Sequence, residues 1–262
     1  MLRLVKIIFI GYVSICLLLY FFQEKLIFHP QKLAPGFAFQ FENKFEEVFI
    51  KTGSGNKIHG LFFHCDNPKG LIFYLHGNAG SLANWGNVAP TYIALGYDVF
   101  IPDYPGYGKS HGTISNEQEL IADLQSVYDT TRKNYSEDRI IILGYSIGTG
   151  PAAALASTNH PRLLILQAPY YNLPDLVHHS YPVLPTFILR YKFQINEFLK
   201  TCKCPVVIFH GTDDEVIYFE SSARLKKEMG DKITLIPLPG QAHNGMTDNP
   251  DYRILLRKLL SE

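Results

Sequence analysis

Serine, histidine and carboxylate side chains stand at the ends of apolar runs in this 262-residue sequence, and those three types together perform nucleophilic acyl transfer. Gly144-Tyr145-Ser146-Ile147-Gly148 follows the apolar run 139–143 and precedes the small residues Ala152, Ala153 and Ala154. A serine on a sharp strand-to-helix turn is held in a strained backbone conformation. Side chains two positions to either side would collide with the turn or the neighbouring strand, and glycine at 144 and 148 removes those collisions. The helix that follows directs its N-terminal dipole at negative charge developing beside Ser146.

His76-Gly77-Asn78-Ala79-Gly80 closes an earlier apolar run. A tetrahedral oxyanion needs two preorganised backbone donors, and the pair predicted here is the N–H of Ile147 and the N–H of Asn78. His76 is read as structural, and an ordinary glycine turn is the alternative for the whole segment. His210-Gly211-Thr212-Asp213-Asp214-Glu215 follows the run 206–209 and places acids where a carboxylate orienting an imidazole belongs. Spacing alone does not choose among the three acids, and a solvated acidic loop is the competing reading. Gly240-Gln241-Ala242-His243-Asn244 follows the last apolar run, and of ten histidines only His243 comes after those acids, which makes it the predicted general base.

These groups need elements to carry them. Short β-branched and aromatic runs at 71–75, 98–101, 139–143, 163–166, 206–209 and 233–236 read as buried strands. Helix-compatible stretches at 82–95, 116–134, 147–158, 221–229 and 250–260 alternate with them, which predicts a mostly parallel sheet with helices on its faces. Ahead of this, 45–52 and 57–64 flank Gly53-Ser54-Gly55-Asn56 and read as an antiparallel hairpin at one edge. The stretch 170–200 breaks the rhythm with Pro174, Pro182 and Pro185 and many apolar side chains, and it reads as a lid.

The first 22 residues are apolar apart from Arg3 and Lys6, and crossing a bilayer core takes about 20 residues of helix. No small-residue cleavage site follows, since Tyr20, Phe21, Phe22 and Gln23 come next, so an uncleaved anchor is expected. Arg3 and Lys6 place the remainder of the chain on the non-cytoplasmic side, with Lys25 and Lys32 weakening the asymmetry. The expected organisation is an anchor at 1–22, a membrane-proximal tether at 23–43 and one catalytic domain at 44–262. The tether carries Phe28, Phe37, Phe39 and Phe41, which either lie at headgroup level or pack on the domain.

Composition removes other classes. Basic and acidic residues balance at 24 each, unlike the one-sided field of a nucleic-acid binder. Four cysteines without metal-site spacing predict neither a disulfide framework nor a metal centre, and Cys202 and Cys204 read as buried thiols. Gly108-Lys109-Ser110 resembles the end of a phosphate-binding loop, but Asp103 stands where that loop requires glycine. Gly148, Gly150 and Ala153 faintly match a dinucleotide fingerprint, but the next strand, 163–167, ends without a ribose-binding acid. Neither cofactor nor metal is expected.

Taken in order, the apolar N-terminus with Phe28-His29-Pro30, then His76-Gly77-Asn78, Asp103-Tyr104-Pro105-Gly106-Tyr107-Gly108, Gly144 to Gly148, His210 to Val216 and Gly240 to Asn244 give the chain a family likeness. It resembles the alpha/beta hydrolase family, in particular the membrane-anchored branch related to bud-emergence proteins and serine-aminopeptidase-like hydrolases. The resemblance implies the α/β-hydrolase fold and a triad of Ser146, Asp214 and His243. In that family the acid lies four residues after the strand-end histidine, here His210, and this alone selects Asp214. The implied activity is hydrolysis of a carboxylic ester or thioester through an acyl-enzyme. The anchor and the apolar lid point to a lipid or other acyl-containing substrate. Peptide hydrolysis from a free N-terminus, with Asp175 or Glu197 holding the ammonium, and a non-catalytic membrane scaffold are the alternatives.

Overall fold

In the computed structural model, which describes residues 1–261, the alternating runs assemble into one eight-stranded sheet. In chain order the elements are α1 (Leu2–Ile27), β1 (His29–Pro30), β2 (Phe45–Lys51), β3 (Lys57–Phe63), β4 (Gly70–Leu75), β5 (Ala79–Gly80), α2 (Leu82–Trp85), α3 (Ala89–Ile93), β6 (Tyr97–Pro102) and α4 (Glu117–Thr131). There follow β7 (Ile140–Tyr145), α5 (Thr149–Thr158), β8 (Leu163–Gln167), α6 (Leu173–Ser180), α7 (Ile195–Thr201), β9 (Val206–Gly211), α8 (Glu220–Met229), β10 (Ile233–Leu238) and α9 (Pro250–Ser261). The sheet order is β10-β9-β8-β7-β4-β6-β3-β2. All pairings from β10 to β6 are parallel, and β3 and β2 complete the edge antiparallel, as the hairpin pattern predicts.

The central strands are buried on both faces, so they read as unbroken apolar runs, yet alternate residues serve opposite layers. Phe73 and Leu75 of β4, Ile140 and Ile142 of β7 and Leu164 and Leu166 of β8 join one cluster with α4, α5, α7 and α8. Ile72, Tyr74, Ile141, Leu143 and Ile165 join the other with α2, α3 and α9. The loops at the carboxyl ends of β4, β7, β9 and β10, which carry the candidate site residues, are thereby held on one rigid platform.

Three boundaries differ from those read in the sequence. The first helix does not end at residue 22 but continues through Ile27, because its last turns dock on the domain. Gln23 is buried, its Oε1 accepting from the Arg190 amide at 2.7 Å, and Glu24 pairs with Arg190 at 2.9 Å. The stretch 82–95 is two short helices around a 3-10 turn at Gly86–Val88. Pro90 cannot donate to the turn before it, and a Cβ on Gly86 would lie 2.3 Å from the Phe41 ring, so the chain bends around that contact. The segment that stands off the sheet is shorter than the 170–200 expected for a lid. Tyr191, Phe193, Ile195 and Leu199 are buried in the core, and Glu117 accepts from the amides of Lys192 and Phe193 at 2.6 and 3.0 Å, which pins that segment to the sheet layer. Only the part around α6 and the following loop projects, with Tyr181, Val183 and Phe187 exposed.

Between α1 and β2 the chain packs on the domain. β1 pairs parallel with β5, Phe28 and Phe39 are buried, and Phe39 stacks on His59.

Candidate active site

β7 runs into α5 through Ser146, whose φ of 53° is left-handed in a residue with a Cβ. That conformation costs on the order of 1–3 kcal/mol and persists only where the surroundings impose it. They do so here by close approach: a Cβ on Gly148 would stand 2.2 Å from the Leu75 carbonyl oxygen, and one on Gly144 would stand 2.5 Å from the Gly148 carbonyl oxygen. The two glycines therefore let the turn lie flat against the end of β4. Ser146 is buried, with 8% of its surface exposed.

Two further loops close on that serine. Ser146 Oγ lies 2.9 Å from His243 Nε2, and His243 Nδ1 lies 2.7 Å from Asp214 Oδ2. A carboxylate is acceptor-only, so Nδ1 carries the imidazole proton and the bare Nε2 accepts from the serine hydroxyl. Of the three candidate acids, Asp213 and Glu215 are exposed, whereas Asp214 is buried with its other oxygen accepting from the Val216 and Ile217 amides at 2.9 and 2.8 Å. Geometry makes the same choice among the acids that the four-residue spacing from His210 makes.

Burial of Asp214 disfavours its charge, but the close approach of His210 and hydrogen bonds from His243 and the Ile217 amide outweigh it and hold the carboxyl well below the usual carboxylate range. His210 is the strand-end histidine. Its Nε2 donates to the Ile217 carbonyl at 2.8 Å and lies 3.3 Å from Asp214, while its Nδ1 accepts from Ser222 at 2.6 Å. His210 thus fixes both the acid and the turn that cradles it. Tyr145, next to the serine, donates its hydroxyl to the His243 carbonyl and packs its ring against the imidazole. Neither contact has a sequence signal beyond adjacency to a motif.

The loop after β4 lies against this turn, since His76 as well as Leu75 crowds the missing Cβ of Gly148, with its carbonyl oxygen 2.6 Å from that position. His76 is fully buried, with Nδ1 donating to the Gly77 carbonyl at 2.7 Å and Nε2 3.3 Å from Asp103, so its ring is engaged away from Ser146. Burial opposes the Asp103 charge, yet contacts with His59 and His76 lower its pKa. Asn78 is braced from outside: its carbonyl accepts from Tyr107 Oη at 2.6 Å and from the His29 amide at 3.0 Å. The Tyr-Pro-Gly-Tyr segment, which carries no chemistry of its own, therefore holds the loop by Tyr104 on the His76 carbonyl and Tyr107 on the Asn78 carbonyl. A cleft of about 380 Å³ is lined in part by Gly80, Trp85 and the residues next in sequence to the serine and the histidine, Tyr145 and Asn244, while Ser146 and His243 themselves do not line it.

Alpha/beta hydrolase domain-containing protein 17B of Homo sapiens is 30% identical over 224 residues, covering 82% of this chain and 75% of that protein. The chain belongs to the alpha/beta hydrolase family. The mouse 17C protein is similar at 29% identity over 223 residues, with 82% and 68% covered. Within this hydrolase, residues 66–194 match the family described as serine aminopeptidase, S33, a span that includes the Ser146 turn and stops short of Asp214 and His243. Among solved structures, a Pyrococcus furiosus esterase superposes with a TM-score of 0.72 at 17% identity, over 90% of this chain and 97% of that one. Acetyl xylan esterase 1 from Thermoanaerobacterium gives 0.67 at 15% identity, over 86% of each. At such identities the two structures establish the fold of the hydrolase.

Proposed function

We propose that the chain is a membrane-anchored serine hydrolase that cleaves a carboxylic ester or thioester of a lipid or other acyl-containing substrate. The observation that carries this reading is the continuous chain of contacts from Ser146 Oγ through His243 to Asp214. His243 Nε2 takes the serine proton as Oγ attacks the carbonyl carbon, and Asp214 stabilises the imidazolium that forms. The oxyanion is received by the N–H groups of Ile147 and Asn78, aided by the N-terminal end of α5. Collapse expels the alcohol or thiol, which takes its proton from His243. Water deprotonated by the same imidazole then attacks the acyl-enzyme and releases the acid.

The anchor assignment is supported by α1, 26 residues long and apolar enough to cross a membrane, whose most apolar stretch lies outside the packed domain. Arg3 and Lys6 at its start favour a non-cytoplasmic hydrolase domain. Protection of the domain from externally added protease in oriented vesicles tests that side.

Replacing Ser146 by Ala is expected to abolish fluorophosphonate labelling and turnover of p-nitrophenyl butyrate without unfolding the protein. Label or turnover surviving in that variant refutes the nucleophile assignment. The S33 description also favours a peptidase reading, in which an acid near the site binds a free ammonium. Its two candidates are already engaged, Asp175 with Tyr218 and Arg224 and Glu197 with Lys200, so the ester reading is preferred. Turnover of aminoacyl amides exceeding that of acyl esters would reverse this order. A wild-type protein left unmarked by the probe would favour the scaffold alternative.

A further inference from the structure

The chemistry above leaves one large apolar cavity without a role. It measures about 450 Å³ and lies between the last turns of α1, at Leu19, Gln23 and Leu26, and the lid, at Leu173, Val177 and Ile188. Its one amide side chain is already occupied, because Gln23 Oε1 accepts from the Arg190 amide and Nε2 donates to the Tyr20 carbonyl at 2.9 Å. Apart from the Tyr181 hydroxyl the remaining lining side chains are apolar, and the volume falls within the range of about 300–1,000 Å³ usual for small-molecule sites.

Both ends of the cavity are informative. At the inner end Ile27 closes α1, and its carbonyl accepts from Asn78 Nδ2 at 3.3 Å, so the helix terminus touches the loop that follows β4. Ile27, Leu173 and Ile147, the residue after Ser146, belong to one continuous apolar cluster. At the outer end Tyr12 Oη donates to the Val183 carbonyl at 2.8 Å. With about 1.5 Å of rise per residue, Tyr12 lies roughly 22 Å before Ile27 along α1, well inside the apolar stretch. A lid carbonyl at that height needs a protein donor, since lipid offers none, and Tyr12 supplies it. The flanking side chains Val183 and Phe187 are exposed and apolar, and Tyr181 of the lining is exposed as well.

We propose that this cavity is the acyl-chain site of the hydrolase, entered sideways from the bilayer, so that α1 is a wall of the substrate pocket as well as an anchor. The proposal rests on the hydrolase reading above and assigns its substrate an unbranched fatty acyl chain. A methylene is close to a water molecule in size, about 30 Å³, so the cavity holds on the order of fifteen. A chain arriving from lipid exchanges one apolar environment for another, so chain length is selected by the fit of the cavity and not by transfer from water.

The test uses the full chain in lipid nanodiscs and a C16 fatty acid carrying a terminal diazirine. Photolysis is expected to mark peptides from the C-terminal half of α1 and from 173–189, with marking competed by excess C16 acid and not by butyrate. Leu26→Trp and Val177→Trp, which fill the cavity from opposite walls, are expected to reduce marking and to lower the ratio of C16 to C4 ester turnover at least tenfold. Ile254→Trp, on the outer face of α9, leaves that ratio where it is. Marking confined to other peptides, or an unmoved ratio in two filled variants that still react with fluorophosphonate, overturns the acyl site. Marking at the cavity in a wild-type protein that fluorophosphonate does not label keeps the acyl site and removes the hydrolase reading instead.

Discussion

Replacing Asp214 by Asn separates the charge of the acid from its shape, and the surroundings dictate which way the new amide must point. One oxygen of Asp214 is held by two donors, the amides of Val216 and Ile217, and the other faces His243. Turning the NH2 toward the two amides would set donors against donors and break both bonds. The asparagine oxygen therefore stays with the amides and the NH2 faces His243 Nδ1. That nitrogen must then accept, the ring proton moves to Nε2, and the atom 2.9 Å from Ser146 Oγ becomes a donor with no capacity to take the serine proton. A wrong tautomer in an otherwise intact triad lowers kcat by about 10⁴. Losing one charged hydrogen-bond acceptor costs stability on the order of 1.5–3 kcal/mol. The assay is kcat for p-nitrophenyl butyrate together with urea unfolding of the same preparation. A loss of activity below about tenfold in a folded Asp214→Asn protein would show that the imidazole is not oriented by this carboxylate, and the reasoning would fail.

The depressed pKa of Asp214 also fixes the direction of an acid effect. A carboxyl whose folded pKa lies below its unfolded value, about 3.9, contributes its stability above that value and loses it as pH falls toward the folded one. Wild type should therefore exceed Asp214→Asn in unfolding free energy at pH 7, and the gap should close below about pH 4; a gap that widens in acid contradicts the assignment. Ser146→Gly relieves the left-handed strain that Ser146→Ala retains, so the glycine variant should be the more stable of the two inactive proteins by about 1 kcal/mol in thermal unfolding. Equal melting temperatures would mean that the turn is not strained. Gly148→Ala sets a Cβ against two backbone carbonyls that cannot swing away, and it should cost more than about 3 kcal/mol or leave no folded protein in expression trials. A well-folded, active Gly148→Ala enzyme would refute the close-approach argument.

The strands and the positions of the three triad candidates were readable because each rests on a local signal: an apolar run for β4, β7, β9 and β10, and glycine spacing around Ser146. Asp214 was not separable from Asp213 and Glu215 by chemistry, since burial and amide partners exist only after the loop folds. The break in the helix predicted for 82–95 depended on Phe41 arriving from 45 positions upstream of Gly86, a contact no window of sequence contains. The same holds for the end of α1. Gln23 looked like the first polar residue after an apolar span, and its burial depends on Arg190, which lies far along the chain. Supporting groups such as Tyr104, Tyr107 and His210 were visible as motif letters, but what they hold became apparent only in three dimensions.

The way the segment 28–41 is laid down bears on how a soluble form of this enzyme could be obtained. Cutting the chain at residue 43 would strip β1 from β5 and leave the pockets now filled by Phe28 and Phe39 open to water. A truncated product of that kind should aggregate for reasons unrelated to lipid affinity. Exchanging outward-facing residues of α1, such as Ile7, Ile8, Phe9 and Leu18, for polar ones while keeping every residue from Leu19 onward would lower the affinity for detergent and leave the packed domain intact.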